Sequence, residues 1–502
     1  MEFVQNLPFI SILVSLFAGP VCLLLKGKKA KYVNLFVIIS VGIMQLFVLL
    51  HALKLKEAYT YSMGHYPAPW GNEIRIGILE ASMALFFTII LLLSMLAGIR
   101  EREKDIDSEK QNLYYVMTNL LLCSLMALVY TNDIFNAYVF VEINTIAACG
   151  LIMIREKGRT ILAATRYMIM NLLGSGLFLL GICFLYDLTG HLLMSNIKEQ
   201  VAILNVTGEY HMPLLVAIVL LAVGLAIKSA LYPFHSWVPD AYGYSTVSSA
   251  AILSSLVSKG YIFLLIKIFY RVVGFDIIAS SKVIDVLFVF GVAGMLMGSI
   301  NAIKEKDIRR MIAFSSVAQI GYIYMGFGLG TVAGMVASVY RIVFHAATKS
   351  LLFVAASGLI DASGNDKHIT SLKGAGYRNK TAGVAFTVGA LSMIGFPLLS
   401  GFISKILFAG AAWETDTKMM VTLVALAIST ILNAMYFMRT VITIYTPMKT
   451  PEVKEKGYAK IKFSEETLKN ITLIGFIVLN VLLGVCSEPV VDLIEKGLAM
   501  FG

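Results

Sequence analysis

Five ionisable side chains lie inside long apolar segments of this 502-residue sequence. Glu142 lies within FNAYVFVEINTIAACGLIMI, Lys228 within LLVAIVLLAVGLAIKSALYPF and Lys259 within AAILSSLVSKGYIFLLIKIF. His345 lies within ASVYRIVFHAATKSLLFVAA and Lys405 within GFPLLSGFISKILFAGAAW. An ionisable group at the centre of a membrane helix costs about 2.5–3.5 kcal/mol to insert, so such groups persist where they face a partner or a cavity. These five residues are therefore the candidate site.

Buried lysines of this kind can carry protons without a cofactor. A lysine removed from water holds its proton less tightly, and a nearby carboxylate restores that affinity. A glutamate–lysine pair that opens and closes therefore switches the lysine between holding and releasing a proton. We expect proton translocation, with no cofactor, no metal ion and no catalytic chemistry in the chain itself. The sequence leaves open whether the chain is a subunit of an enzyme.

Four further residues bear on this reading. Lys349 lies one helical turn after His345, and both Lys349 and Asp133 are possible accessory residues. His235 lies beside a proline break and either lines a proton entry or caps backbone groups that the break leaves free. Lys267 lies near the end of its apolar segment, where a long side chain can reach the membrane interface. We therefore expect Lys267 to be dispensable.

The composition shows which elements must position these residues. Hydrophobic residues make up 58% of the chain and charged residues 14%, with a mean hydropathy of +0.80, which excludes an ordinary soluble domain. The N-terminal MEFVQNLPFI lacks a basic region and a cleavage site, so we expect a permanent first helix. Apolar runs of membrane-spanning length predict an all-α integral membrane protein of about 14 transmembrane helices. These runs lie at 4–25, 32–53, 78–98, 113–130, 134–154, 163–186, 213–232, 246–270, 281–303, 309–328, 331–359, 381–411, 419–444 and 469–487.

The net charge of +10 is best explained by topology. Most basic residues lie in alternate loops, which the positive-inside rule places in the cytoplasm. Both termini are then expected outside a prokaryotic inner membrane, and nucleic acid is not an expected partner. These basic loops lie at 26–31, 100–104, 155–159, 304–310, 373–380 and 449–462.

Two prolines interrupt helices beside candidate lysines. Pro233 follows Lys228 by five residues, and Pro397 precedes Lys405 by eight. Broken helices at corresponding places in two halves of a chain indicate an ion site built on internal repeats.

The five cysteines lie in apolar segments without a CxxC pair, so neither a disulfide nor an iron–sulfur site is expected.

Six segments together carry a family resemblance: NDIFNAYVFVEI, NLLGSGLFLLG, KSALYPFHSWVPDA, KDIRRMIAFSSVAQIGYI, FHAATKSLLFVAASG and GFPLLSGFISK. They resemble the antiporter-like subunits shared by respiratory complex I, Mrp-type cation/proton antiporters and membrane-bound hydrogenases. A further segment, GHYPAPWGNEIRIGI, most resembles the D-type member of the Mrp antiporters. The resemblance implies fourteen helices with two inverted five-helix repeats.

The same resemblance implies a role for each candidate residue. Glu142 matches the family's helix-five glutamate, which pairs with the lysine matched by Lys228. Lys259 matches the helix-eight lysine and His345 the helix-eleven histidine. Lys405 matches the helix-twelve lysine, which leads to the next subunit or to the outside.

No linker divides the sequence, so we expect one polytopic domain over 1–502. With the repeats that the resemblance implies, its parts are N-terminal helices, a first repeat, a second repeat, and a cytoplasmic loop with the last helix, at 4–112, 113–270, 281–444 and 445–502. One segment departs from the family pattern: Tyr242 replaces a histidine, and the proline-rich stretch after it is missing. A proton inlet at that place is therefore in doubt.

Three functions compete at this point. The first is a proton-translocating subunit of a multisubunit Mrp-type Na⁺(K⁺)/H⁺ antiporter. The second is an ion-pumping subunit of a redox-driven complex, such as a complex I-like NADH dehydrogenase, a membrane-bound hydrogenase or a formate hydrogenlyase. The third is a stand-alone transporter of an organic solute, which the rarity of polar groups outside the lysine series disfavours. In the first two, the expected partners are other membrane subunits, protons, the co-ions Na⁺ or K⁺, and lipid.

Overall fold

A computed structural model describes residues 2–66, 71–447 and 463–501. Within these residues, 13 helices are long and apolar enough to cross a membrane. A further crossing is built from two shorter helices, which confirms an all-α integral membrane protein of about fourteen spans. The expected loop at 449–462 lies outside the described residues, and the five-helix repeats stay a prediction.

The membrane-spanning helices follow the predicted apolar segments. We number them α1 to α14 and give the halves of a broken span the letters a and b. They are α1 Glu2–Leu24, α2 Gly27–Leu55, α3 Ile78–Ala97, α4 Gln111–Tyr130, α5 Ile134–Met153, α6 Gly158–Thr189, α7a His211–Ser229, α7b Val238–Tyr244, α8 Val247–Val273, α9 Lys282–Lys304, α10 Ile308–Gly328, α11 Val332–Asp361, α12a Lys380–Ile394, α12b Ser400–Trp413, α13 Met419–Tyr445 and α14 Phe463–Val485.

Shorter elements join or flank these spans. An antiparallel hairpin, β1 Tyr59–Ser62 with β2 Glu73–Ile76, connects α2 to α3 and was not expected from the sequence. An amphipathic helix, α15 Ser487–Ala499, follows α14. The remaining short helices are Met63–His65, Ile99–Asp105, Met194–Thr207, Phe275–Ala279, Ile369–Leu372 and Ala375–Arg378.

Three helices form the centre of the bundle. The most apolar windows of α8 and α11 are 100% buried and that of α10 is 94% buried, whereas those of α2, α6 and α13 are less than half buried. The outer helices turn leucine, isoleucine and phenylalanine outward, as lipid-facing or subunit-facing helices do. Lys259 of α8 and the pair His345 and Lys349 of α11 therefore lie in the most buried part of the bundle.

Two spans are broken where the prolines predict it. The α7 span stops at Ser229, and α7b begins only at Val238. The α12 span stops at Ile394 and resumes at Ser400, with Gly395 at a positive φ of 93°. Such breaks leave backbone groups free for side chains to bind.

The α8 span is continuous but not uniform. Two π-helical segments, Leu253–Val257 and Phe269–Val273, flank its central stretch Ser258–Ile268. Insertions of this kind are rare and occur often at functional sites. The central stretch carries Lys259 and Lys267.

Candidate proton-transfer site

Lys228 and Glu142 form an ion pair in the first half of the chain. Lys228 is fully buried in the last turn of α7a, and its Nζ lies 3.4 Å from Glu142 Oε1. The same Nζ donates a hydrogen bond to Thr145 Oγ1 at 2.8 Å. The ring of Tyr261 lies 5.5 Å from the ammonium, within cation–π range. The structure thus brings the two predicted partners together and adds a hydroxyl to the same ammonium.

Close helix packing makes room for this pair. The Ser175 hydroxyl of α6 donates to Glu142, whose side chain is 26% exposed at the surface of the chain. A Cβ added at Gly174 would lie 2.8 Å from the carbonyl oxygen of Gly224 and 3.0 Å from Lys228 Cγ. Glycine at both positions therefore lets α6 approach α7a while the lysine side chain runs between them.

Lys259 lies on α8 directly after the first π-helical segment. It is fully buried, and its Nζ donates to the carbonyl of Ser254 inside that segment. The buried hydroxyl of Tyr242 donates to the carbonyl of Leu253 at 3.3 Å and lies 3.4 Å from Ser258 Oγ. Tyr242, which departs from the family pattern, therefore packs against the segment that holds Lys259.

His345 and Lys349 lie one turn apart on α11, and both are fully buried. Lys349 Nζ donates to the carbonyl of Ile312 at 2.8 Å and to the Ser315 hydroxyl, both on α10. Neither ring nitrogen of His345 has a hydrogen-bond partner among the described residues. A buried imidazole without a partner is a natural place for a water molecule or a passing proton.

Lys405 lies at the break of the α12 span. Its Nζ donates to the carbonyl of Ile394, the last residue of α12a, and to Thr430 Oγ1 at 2.6 Å. The partial negative charge at a helix C-terminus stabilises a cation there. A Cβ at Gly395 would lie 3.0 Å from Lys405 Cδ, so glycine leaves space for this contact.

Arg341 is a buried charge that the sequence analysis did not single out. Its guanidinium donates to Gln319 and, at 3.1 Å, to Ser404 Oγ, and lies 4.1 and 4.7 Å from two aromatic ring centroids. Ser404 directly precedes the α12b lysine. The signal was in the spacing, because Arg341, His345 and Lys349 recur every four residues and share one face of α11.

The expected placement of Lys267 at the membrane interface was wrong, whereas its dispensability for transport stays a prediction. The side chain does not reach an interface: it is fully buried, and its Nζ donates to the carbonyls of Val129, at 2.8 Å, and Thr131. These carbonyls end α4, so the lysine compensates the negative end of that helix. Position along an apolar run does not predict exposure when every face of the helix is covered by neighbouring helices.

The two remaining accessory residues have local contacts. Asp133 caps the start of α5, since its carboxylate accepts a hydrogen bond from the Asn136 backbone at 2.7 Å. His235 stacks on Tyr232 with the ring centroids 5.3 Å apart, and its Nδ1 has no partner within the described residues. The cap gives Asp133 a structural reason to be present, whereas both readings of His235 stay open.

The chain as a whole is similar to several known proteins. Residues 131–431 match the family model described as NADH:quinone oxidoreductase/Mrp antiporter, transmembrane. The N-type subunit of the NADH-quinone oxidoreductase of Desulforudis audaxviator is 32% identical over 452 residues, which cover 88% of this chain and 86% of the relative. The D-type subunit of the Na(+)/H(+) antiporter of Alkalihalophilus pseudofirmus is 26% identical over 501 residues, which cover 97% of this chain and 95% of the relative.

Two solved structures share the fold over nearly the whole chain. A chain of an archaeal membrane-bound sulfane sulfur reductase superposes with a TM-score of 0.86 at 24% identity, over 100% of this chain and 98% of that one. A chain of the Mrp complex from Dietzia sp. DQ12-45-1b superposes with a TM-score of 0.85 at 21% identity, over 99% and 97%. The chain therefore belongs to the family of transmembrane subunits shared by NADH:quinone oxidoreductases and Mrp antiporters.

Proposed function

We propose that this chain is a proton-translocating subunit of a multisubunit Mrp-type Na⁺(K⁺)/H⁺ antiporter in a prokaryotic cell membrane. The observation that carries the proposal is the contact of the buried Lys228 ammonium with both Glu142 and Thr145. A carboxylate within 4 Å favours the charged lysine, and its withdrawal favours release of the proton. The partial exposure of Glu142 lets a neighbouring subunit influence that step.

The relay continues through the buried core to the half-buried Lys405. Lys259 on α8, His345 and Lys349 on α11, and Lys405 at the α12 break carry protonatable groups from one broken span to the other. Arg341 keeps its charge at any working pH, so it is a fixed cation beside the path. Protons pass along this series, and the coupled co-ion is Na⁺ or K⁺.

A redox-driven complex is the second candidate. It is favoured by the 32% identity to a subunit of NADH-quinone oxidoreductase. The proposed relay fits a subunit of either kind of complex, the antiporter or the redox-driven one. The subunits that co-purify with the chain, identified by mass spectrometry, separate the two: redox proteins with cofactors indicate the second.

Transport by the assembled complex tests the relay. The complex is reconstituted into vesicles, and proton movement is followed with a pH-sensitive dye after a cation pulse or addition of electron donor. Lys228→Ala should abolish coupled transport while the complex still assembles, whereas Lys496→Ala, which removes an exposed lysine of α15, should transport normally. Normal transport by an assembled Lys228→Ala complex overturns the relay. Robust cation/proton exchange by the chain reconstituted alone instead indicates a stand-alone transporter.

A further inference from the structure

A second buried glutamate–lysine pair lies at the end of the bundle where the basic loops gather. Lys469 of α14 contacts Glu101, which lies on the short helix after α3, and both side chains are only 9% exposed. The two residues are 368 positions apart in the sequence. Lys469 Nζ also lies 3.5 Å from Asp361 Oδ2, at the end of α11, which is 31% exposed. One ammonium is thus shared by an inner and an outer carboxylate.

A surface cavity reaches the lysine of this pair. Its volume is about 430 Å³, and its lining includes both Lys469 and Asp361. The rim residues Arg378 and Lys380 are exposed. The charged side chains around the cavity are Arg100, Asp361, Arg378, Lys380, Glu466 and Lys469. Water and small ions can therefore reach the outer carboxylate, while the inner one lies behind the lysine.

Hydroxyl groups lead from the inner carboxylate toward the relay. Ser357 of α11 donates to Glu101 Oε1 at 3.1 Å, and Glu101 Oε2 has no partner within the described part of the chain. Deeper in the bundle, where α3 contacts α11, the hydroxyls of Ser94 and Ser350 lie 3.2 Å apart. Ser350 directly follows the relay lysine Lys349. Ser357 and Ser350 are seven residues apart along α11, or about 10 Å at 1.5 Å per residue.

The charges explain why the lysine must move for a proton to enter. Burial raises the pKa of Glu101, but the attraction of Lys469 and the hydrogen bonds that Glu101 accepts outweigh it, so the pKa lies below its ordinary value. Glu101 is therefore ionised while paired. When Lys469 swings to Asp361, the buried Glu101 carboxylate is left uncompensated, and a buried unpaired carboxylate binds a proton readily.

We infer that Glu101, Lys469 and Asp361 form a gated proton inlet, which loads the second half of the relay from the basic end of the bundle. Lys469 is the gate, because its position decides whether Glu101 accepts a proton from the cavity. The protonated Glu101 then passes its proton along Ser357 and, through water admitted between α3 and α11, to the Ser94–Ser350 level beside Lys349. This inference rests on the proposed proton relay and gives it an entrance that does not use the divergent segment around Tyr242.

The test uses a small permeant weak acid to replace the missing carboxyl group. In the reconstituted complex, Glu101→Gln keeps the size of the side chain but cannot deliver a proton, and should slow proton uptake at least tenfold. Azide, whose acid form is small enough for the cavity, should restore much of that rate. Glu156→Gln is the matched control, since it breaks an exposed ion pair with Lys110 at the same end and should leave the rate unchanged.

The outcomes separate an inlet from a structural ion pair. An assembled Glu101→Gln complex with a normal rate, or a slow one that azide does not restore, overturns the inlet. Asp361→Asn removes only the more exposed partner and serves if Glu101→Gln fails to assemble; a normal rate in that variant also overturns the inlet. Lys228→Ala should not respond to azide, because azide replaces the carboxyl group of the entrance and not the lysine of the first-half switch. If Lys228→Ala transports normally while azide rescues Glu101→Gln, the proposed relay fails and the inlet stands.

Discussion

Lys228 Nζ is hydrogen-bonded to Thr145 Oγ1 at 2.8 Å, closer than the 3.4 Å that separates it from Glu142 Oε1. The threonine hydroxyl also donates to the carbonyl of Val141, at 2.8 Å, and so presents its lone pairs to the lysine. The ammonium therefore keeps a neutral partner if the glutamate moves away. This arrangement lowers the free-energy difference between the paired and separated states of Lys228 and Glu142. A switch that operates in both directions requires this difference to be small.

Removing that hydroxyl should bias the switch. Thr145→Val keeps the shape of the side chain but removes the hydroxyl, so Lys228 should depend more on Glu142 and release its proton more slowly. We expect coupled transport to fall severalfold with normal assembly, while Thr145→Ser retains it. Vesicle transport rates for the two variants check this, and equal rates for valine and serine would show that the hydroxyl has no part in the switch.

Glu142 should tolerate only a change that keeps its charge. Glu142→Ala removes the partner of a fully buried lysine and should be nearly as damaging as Lys228→Ala. Glu142→Asp keeps the carboxylate but withdraws it by one methylene, so part of the transport should remain. The measurement is the order of the transport rates of Lys228→Ala, Glu142→Ala and Glu142→Asp. A Glu142→Ala complex that transports as well as Glu142→Asp would show that the carboxylate takes no part in transport.

Lys405→Arg should separate proton transfer from fixed charge. Arginine can still bind the carbonyl of Ile394, but it does not release a proton at any working pH. We therefore expect transport almost as low as in Lys405→Ala, while the arginine variant assembles better. Wild-type transport by an assembled Lys405→Arg complex would reduce Lys405 to an electrostatic role and move the exit to His345 with Lys349.

Arg341 should affect both the transport rate and the thermal stability of the complex. Arg341→Lys loses the planar fork in which two separate nitrogens reach Ser404 and Gln319, and a single ammonium nitrogen cannot occupy both positions. We expect slower transport and a lower melting temperature of the complex, with Ser404→Ala reproducing only part of the first effect. A lysine variant with unchanged transport and melting temperature would show that any buried cation suffices at this position.

Lys267 should matter for folding rather than for transport. Lys267→Ala leaves the carbonyls of Val129 and Thr131 without their buried donor, at a cost of about 1–3 kcal/mol. The melting temperature of the complex should therefore fall while the transport rate per assembled complex stays close to normal. Transport as low as in Lys228→Ala would instead place Lys267 on the proton path.

Much of this architecture follows from local sequence. Pro233 and Pro397 indicate the two broken spans, because proline cannot continue a helix without loss of a hydrogen bond. The Glu142–Lys228 contact was expected from buried charges in neighbouring spans and from the family resemblance. The short strands of the hairpin escaped prediction because four residues carry too little periodicity to be recognised.

Other features depend on contacts that no local pattern contains. The orientation of Lys267 depends on the carbonyl groups at the C-terminal end of α4. The pairing of Glu101 with Lys469 joins residues that are 368 positions apart in the sequence. Glu101 and Lys469 also lie close to the ends of their apolar segments, where charges are ordinary. Only the packed bundle shows that these two side chains are buried against each other.

The bond from Lys405 to the carbonyl of Ile394 makes protonation and backbone shape thermodynamically linked. Loss of the proton leaves the negative end of α12a uncompensated, so the neutral lysine favours a different arrangement of the two half-helices. Linkage of this kind is reciprocal. A neighbouring subunit that bends the α12 span therefore alters the proton affinity of Lys405 without touching its side chain. Conversely, protonation of Lys405 changes the free energy of that bending by the same amount.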